Sequence, residues 1–186
     1  MFKHVLLVAL LAVPLAAWAF IKPVRVLVPE FAGVTCFERV CVDDLARFSE
    51  AKALSEEAVQ FVQSSVGKLQ AVPRMIFCAT QECSRSFGFT SNGAYNVATV
   101  GVVVSHRGWH SYFVRHELIH HLQNERLGSL NAWLLKPNWF KEGMAYSLSK
   151  DPRAPLPEPL QGYRAQFESW FKLVGADHLW AEAARL

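Results

Sequence analysis

The spacing of apolar residues changes character part-way along this chain, and the change predicts its elements. In "VRVLVPE", residues 24–30, β-branched residues run up to Pro29 and predict a short strand. Past a first pair of cysteines, Asp43 or Asp44 can cap a helix reaching about residue 68. Within it Leu45, Phe48, Leu54, Ala58, Phe61, Val62 and Leu69 recur at steps of three and four. "MIFC", residues 75–78, follows Pro73 as a second strand, and "FGFTSNGAYN" is rich in turn formers around Asn92-Gly93. "VATVGVVVS", residues 97–105, is nearly continuous in β-branched residues and predicts the strongest strand.

Helices then take over. After Gly108 a helix is expected over about residues 109–127, stopped by Gly128 at its C-terminal cap. A second begins near Pro137-Asn138 and runs to about Ser149. The Pro-rich "DPRAPLPEP" forms a loop, and "YRAQFESWFKLV" and "HLWAEAARL" close the chain as helices. Strands come early and helices late, which predicts an α+β class with a small sheet packed by helices.

Length and composition narrow the setting. A chain of 186 residues suits one domain, with 52% hydrophobic residues, 19% charged residues and a formal charge of +3. The positive charge is spread rather than blocked, so no nucleic-acid-binding surface is indicated. Much of the apolar excess lies in "MFKHVLLVALLAVPLAAWAF". Lys3 supplies a positive start, an apolar run follows, and Ala17 and Ala19 stand where signal peptidase prefers small residues. Residues 1–19 are therefore read as a signal peptide and residues 20–186 as a single exported domain, periplasmic or secreted. The rival reading is an uncleaved membrane anchor, since apolar character continues to Ile21; a membrane partner follows only in that case.

Four cysteines occur as two matching pairs, Cys36 with Cys41 and Cys78 with Cys83. In an exported chain they are expected to form two disulfides, each closing a local loop. A zinc knuckle is the competing reading, but the C-x4-C spacing is wider than usual for one.

The helix over 109–127 carries "HELIH". His116 and His120 lie 40° apart around an ideal helix and one turn along it, so both imidazoles can reach one metal ion. Glu117 is offset by 100° from His116 and can lean towards metal-activated water without ligating. Composition alone produces such a string in roughly one chain in fifty, so a third ligand is needed. "WFKEGMAYSLS" supplies one. It places Glu142 on the following helix, 22 residues after His120, with small residues Gly143 and Ala145 to let the helices approach. Two imidazoles and a carboxylate form a three-ligand zinc site with one position open.

"HELIH" followed by "WFKEGMAYSLS" resembles the gluzincin branch of zinc metallopeptidases, most specifically over residues 109–149. The resemblance implies a minimal zincin-like domain and one Zn2+ ion held by His116, His120 and Glu142. It implies Glu117 as general base and hydrolysis of a peptide or protein substrate lying antiparallel along an edge strand at residues 97–105. Such enzymes also place a Tyr or His downstream to stabilise the oxyanion. Tyr163 is the preferred candidate, with Tyr146 and His178 as others. Tyr146, four residues after Glu142, also occupies a position from which a ligand histidine is often supported. A second expectation is a zinc-bearing binding or envelope-assembly protein that keeps the site without turnover.

Overall fold

A computed structural model describes residues 20–89 and 91–186, together with residues 13, 16 and 18. The expected signal segment, residues 1–19, otherwise lies outside the described residues. Among the described residues no helix is long and apolar enough to cross a membrane.

Five strands form one mixed sheet: β1 (Thr35–Phe37), β2 (Val40–Val42), β3 (Arg74–Phe77), β4 (Ala94–Val97) and β5 (Gly101–Val104), in the spatial order β1-β2-β3-β5-β4. β2, β3 and β5 run parallel, whereas β1 and β4 are antiparallel strands on the two edges. Among the described residues from 21 onwards the α-helices are, in chain order, α1 (Phe48–Ser65), α2 (Gln81–Ser86), α3 (Ser111–Leu127), α4 (Ser129–Leu134), α5 (Asn138–Leu148), α6 (Leu160–Val174) and α7 (Leu179–Arg185). The class is α+β, as the order of patterns predicts.

Both faces of the sheet are covered. Met75, Phe77, Val102 and Val104 point into the larger core, where α1 contributes Ala51, Ala58 and Val62 and α3 contributes Val114, Leu118 and Leu122. Alternate residues Cys41, Ile76 and Val103 face a smaller core with Val26, Phe87 and Phe89. Burial on both faces explains why the central strands read as continuous apolar runs.

Two local expectations are corrected. Residues 24–30 are not a strand but sit in two short 3-10 turns, Lys22–Leu27 and Pro29–Ala32. Pro23 and Pro29 fix φ at the start of each turn, and Arg25 donates to the Ser86 carbonyl at 2.7 Å, tying the segment across the second face. The stretch 97–105 is not one edge strand. Ala98 adopts a positive φ of 47°, the chain reverses, and β5 becomes internal while β4 takes the edge. The short helix α4 forms within the connector between α3 and α5.

Both disulfides are present: Cys36–Cys41 across the β1–β2 hairpin and Cys78–Cys83 between the end of β3 and α2. Two such bonds point to an oxidising, exported environment.

Candidate metal centre

α3 is held at both ends and along its length, which fixes what it carries. Before its first turn, Trp109 is buried and donates its indole N–H to the Cys78 carbonyl at 2.8 Å. At the other end Gly128 adopts φ 80°, a left-handed value open to glycine, and its N–H closes on the Asn124 carbonyl. Leu118, Ile119 and Leu122 are fully buried. His121 is buried as well. Its Nε2 lies 3.1 Å from both the Ala71 carbonyl and Glu125 Oε1, and Glu125 accepts from the backbone N–H groups of Gln70 and Ala71.

The opposite side of α3 presents His116, Glu117 and His120. The two Nε2 atoms stand 3.1 Å apart, and Glu142 from α5 brings one carboxylate oxygen to 3.7 Å from His116 and the other to 3.6 Å from His120. These ligand atoms all lie within 4.8 Å of one another. Two nitrogens bound to one tetrahedral zinc at about 2.0–2.1 Å would be about 3.3 Å apart. The donor spacing and the donor chemistry therefore fit a small divalent metal ion, and this buried group can hold one.

A further contact orients the set. His120 Nδ1 lies 2.9 Å from Gln123 Oε1, and Gln123 Nε2 donates to the Lys141 carbonyl at 3.0 Å. Because the amide oxygen can only accept, His120 keeps a proton on Nδ1, and Nε2 is the nitrogen that faces the centre and would be freed for a metal ion. Gln123 is fully buried and joins α3 to α5 at the level of the ligands. Sequence reasoning passed over it, although it stands one helical turn beyond a ligand histidine that needs such a partner.

Electrostatics follow from this packing. Burial disfavours the His120 imidazolium, but the facing Glu142 carboxylate outweighs it, and the group is pushed up to about 9. Burial also opposes ionisation of Glu142, yet the imidazoles of His116 and His120 facing it hold it well below the usual carboxylate range. Glu117 is raised, chiefly by burial, against the opposing pull of the two histidines and a hydrogen bond from the Asn96 backbone.

That last bond links the helix to the sheet edge. Asn96 lies in β4, and Asn124 of α3 donates to its side-chain oxygen at 2.9 Å and to the His120 carbonyl at 2.9 Å. A cleft of about 850 Å³ opens over the centre. Its walls include β4 and its preceding turn on one side, and Lys141, Glu142, Tyr146 and Arg153 on the other.

The expected residues divide clearly. His116, Glu117, His120 and Glu142 come together in the cleft floor. Tyr146 is there too, its ring edge-on to His116 at 4.5 Å between centroids. Its phenol is raised by burial and by the nearby Glu142, with Arg153 opposing. Tyr163 and His178 do not line this cleft: Tyr163 sits near the start of α6, whose backbone packs against Gly143, and His178 is exposed before α7. Gly143 thus serves the α5–α6 contact rather than the approach of α5 to α3. Arg153 was not singled out in the sequence, because only the folding of the Pro-rich loop brings it to the site.

No family model matches the chain, and no curated protein or solved structure does either. The reading of the site rests on its own chemistry.

Proposed function

We propose that the protein is an exported zinc-dependent peptidase of gluzincin type. One observation carries the reading: two imidazole nitrogens and a carboxylate converge in the floor of an open cleft, with a second, buried carboxylate beside them on the next residue of the same helix. A His2Glu set suits zinc better than magnesium or calcium, which prefer oxygen alone.

Within this reading His116, His120 and Glu142 hold the ion. Zinc bound there supplies a Lewis acid that acidifies water and polarises a carbonyl. Glu117 does the proton work. Buried beside the three ligating side chains, it is placed to take a proton from the attacking water and return it to the departing amine nitrogen. The Asn96 backbone N–H, on the neighbouring strand, favours the ionised carboxylate that this step needs. The open side of β4 offers an edge on which an extended peptide can add as a strand. Tyr146 and Arg153 are the hydrogen-bond donors available on the facing wall.

A second reading, a zinc-bearing binding protein without turnover, draws on the position of Tyr163 and His178 outside the cleft. The open cleft and the intact Glu117 favour the enzyme. The test is metal content of protein purified without chelator, wild type beside Glu142→Ala, followed by turnover of a mixed peptide library with Glu117→Gln as control. About one zinc per chain, lost in Glu142→Ala, with cleavage abolished in Glu117→Gln, is the expected result. Zinc without cleavage would select the second reading, and no zinc even after its addition would remove both.

A further inference from the structure

Outside the metal-ligating group and Glu117, the charged side chains that line the cleft are all basic: Arg107, Lys141 and Arg153. Arg107 is exposed at the rim, and Lys141 donates its ammonium to the Trp133 carbonyl. Arg153 is different, because the fold builds it into place.

Its Nε donates to Asp151 Oδ1 at 2.9 Å and its Nη2 to Oδ2 at 2.5 Å, and the Asp151 side chain is only 1% exposed. The same carboxylate accepts the Arg153 backbone N–H at 2.9 Å. From α6, Arg164 donates to the carbonyls of Asp151 and Arg153 at 3.3 and 2.9 Å, strapping the loop down. The guanidinium lies 5.3, 4.8 and 5.7 Å from the ring centres of Tyr112, Phe113 and Tyr146. Three aromatic rings and a buried carboxylate thus restrict its side chain before anything binds.

A guanidinium present only to neutralise Asp151 would be enclosed with it. This one is 41% exposed, lines the cleft, and has no hydrogen-bond partner for Nη1 among the described residues. Tyr146 touches both Arg153 and His116, so the free guanidinium edge stands one aromatic ring away from a metal ligand. A charge-assisted hydrogen bond from an already ordered arginine loses little entropy on forming, and arginine matches carboxylate geometry.

We propose that Arg153 anchors a carboxylate of the bound peptide, so that the cleft selects peptides bearing a negative charge close to the bond presented to His116. The proposal rests on the reading of this cleft as a peptide site. The carboxylate can come from a chain terminus or from an Asp or Glu side chain.

The test is peptide binding by isothermal titration calorimetry to the full chain at pH 7 in the presence of chelator, so that neither metal ligation nor turnover contributes. Three probes are used: pentaalanine with a free C-terminal carboxylate, the same peptide amidated, and an amidated peptide with a central Glu. At least one carboxylate-bearing probe should bind about tenfold tighter than the amidated pentaalanine, and which one does so identifies the source. The advantage should fall below about twofold in Arg153→Gln and survive in part in Arg153→Lys. Because Arg153→Gln leaves Asp151 unpaired, the double variant Asp151→Asn/Arg153→Gln is measured beside it, with thermal melting to show that it folds. Equal affinity for all three probes, or an acid preference that persists in the folded double variant, would overturn the proposal. Since the readout needs no cleavage, a protein that never turns over peptides can still show the Arg153-dependent preference.

Discussion

His120 and Gln123 are joined side chain to side chain on one turn of α3, Nδ1 to Oε1 at 2.9 Å, and Gln123 passes the connection on to the Lys141 backbone next to Glu142. The amide therefore sets both the proton position of one ligand and the separation of the two helices that carry the three. Gln123→Leu keeps most of the volume and removes the acceptor. It is expected to weaken zinc binding by about 10- to 100-fold, measured by competition with a chromophoric chelator. Unchanged affinity in Gln123→Leu would show that the imidazole is oriented by packing alone.

Zinc binding should release a proton. In the metal-free protein His120 is raised to about 9 and carries its proton at pH 7, and the ion has to displace it. Titration in buffers of different ionisation enthalpy is expected to show release of about one proton per zinc at pH 7 from this group, declining above pH 9.

The same pair shapes the stability of the metal-free chain. His120 is raised relative to an unfolded value of about 6.5, so its stabilisation is complete below that pH and is lost as pH rises through about 9. Glu142 is lowered, so its contribution is complete above its unfolded value of about 4.3 and is lost as pH falls through its depressed folded value. The melting-temperature difference between wild type and Glu142→Gln, measured with chelator, should be largest between about pH 4.5 and 6.5 and shrink towards pH 9. A difference that grows with pH would contradict this assignment.

Gly143→Ala tests how Glu142 is held in place. A Cβ there would overlap the Tyr163 carbonyl and come to 2.7 Å from Phe167 Cβ. Both obstacles are close to the α6 backbone, so α5 and α6 have to separate. The expected cost is about 1–3 kcal/mol by chemical denaturation, with weakened zinc binding because Glu142 is the preceding residue.

Much of this centre was legible in the sequence because it is local. The i, i+4 histidines and the Gly128 stop define α3, and Glu142 lies within one recognisable stretch of α5. What escaped depended on distant parts of the chain. "VRVLVPE" has the composition of a strand, yet its two prolines and the anchoring of Arg25 to Ser86 favour tight turns instead. β4 was hidden in "FGFTSNGAYN", where Asn and Gly read as a turn, although Asn96 works through its backbone and its side chain as part of a strand. Arg153 acquires its role only when Asp151 is buried and Arg164 pins the loop. Tyr163, favoured by its place in the sequence, lies on the helix that supports Gly143.

Each disulfide should act as an independent staple. Both close loops of five-residue separation, for which the chain-entropy account gives roughly 2 kcal/mol apiece. The double substitution Cys36→Ala/Cys41→Ala is expected to lower the melting temperature by about 4–8 °C and to leave zinc stoichiometry unchanged, since that hairpin is on the sheet edge opposite β4.

Asn124 grips the Asn96 side chain with one amide while also holding the His120 carbonyl, and Glu117 takes the Asn96 backbone N–H from the same helix. The strand and the helix are thus riveted into a single jaw. Glu117 and the sheet edge therefore belong to one unit, joined through Asn124. The facing jaw is tied down as well, α5 to α3 through Gln123 and the loop around Arg153 to α6 through Arg164. A molecule entering therefore meets two walls already in place, and has to match the gap between them.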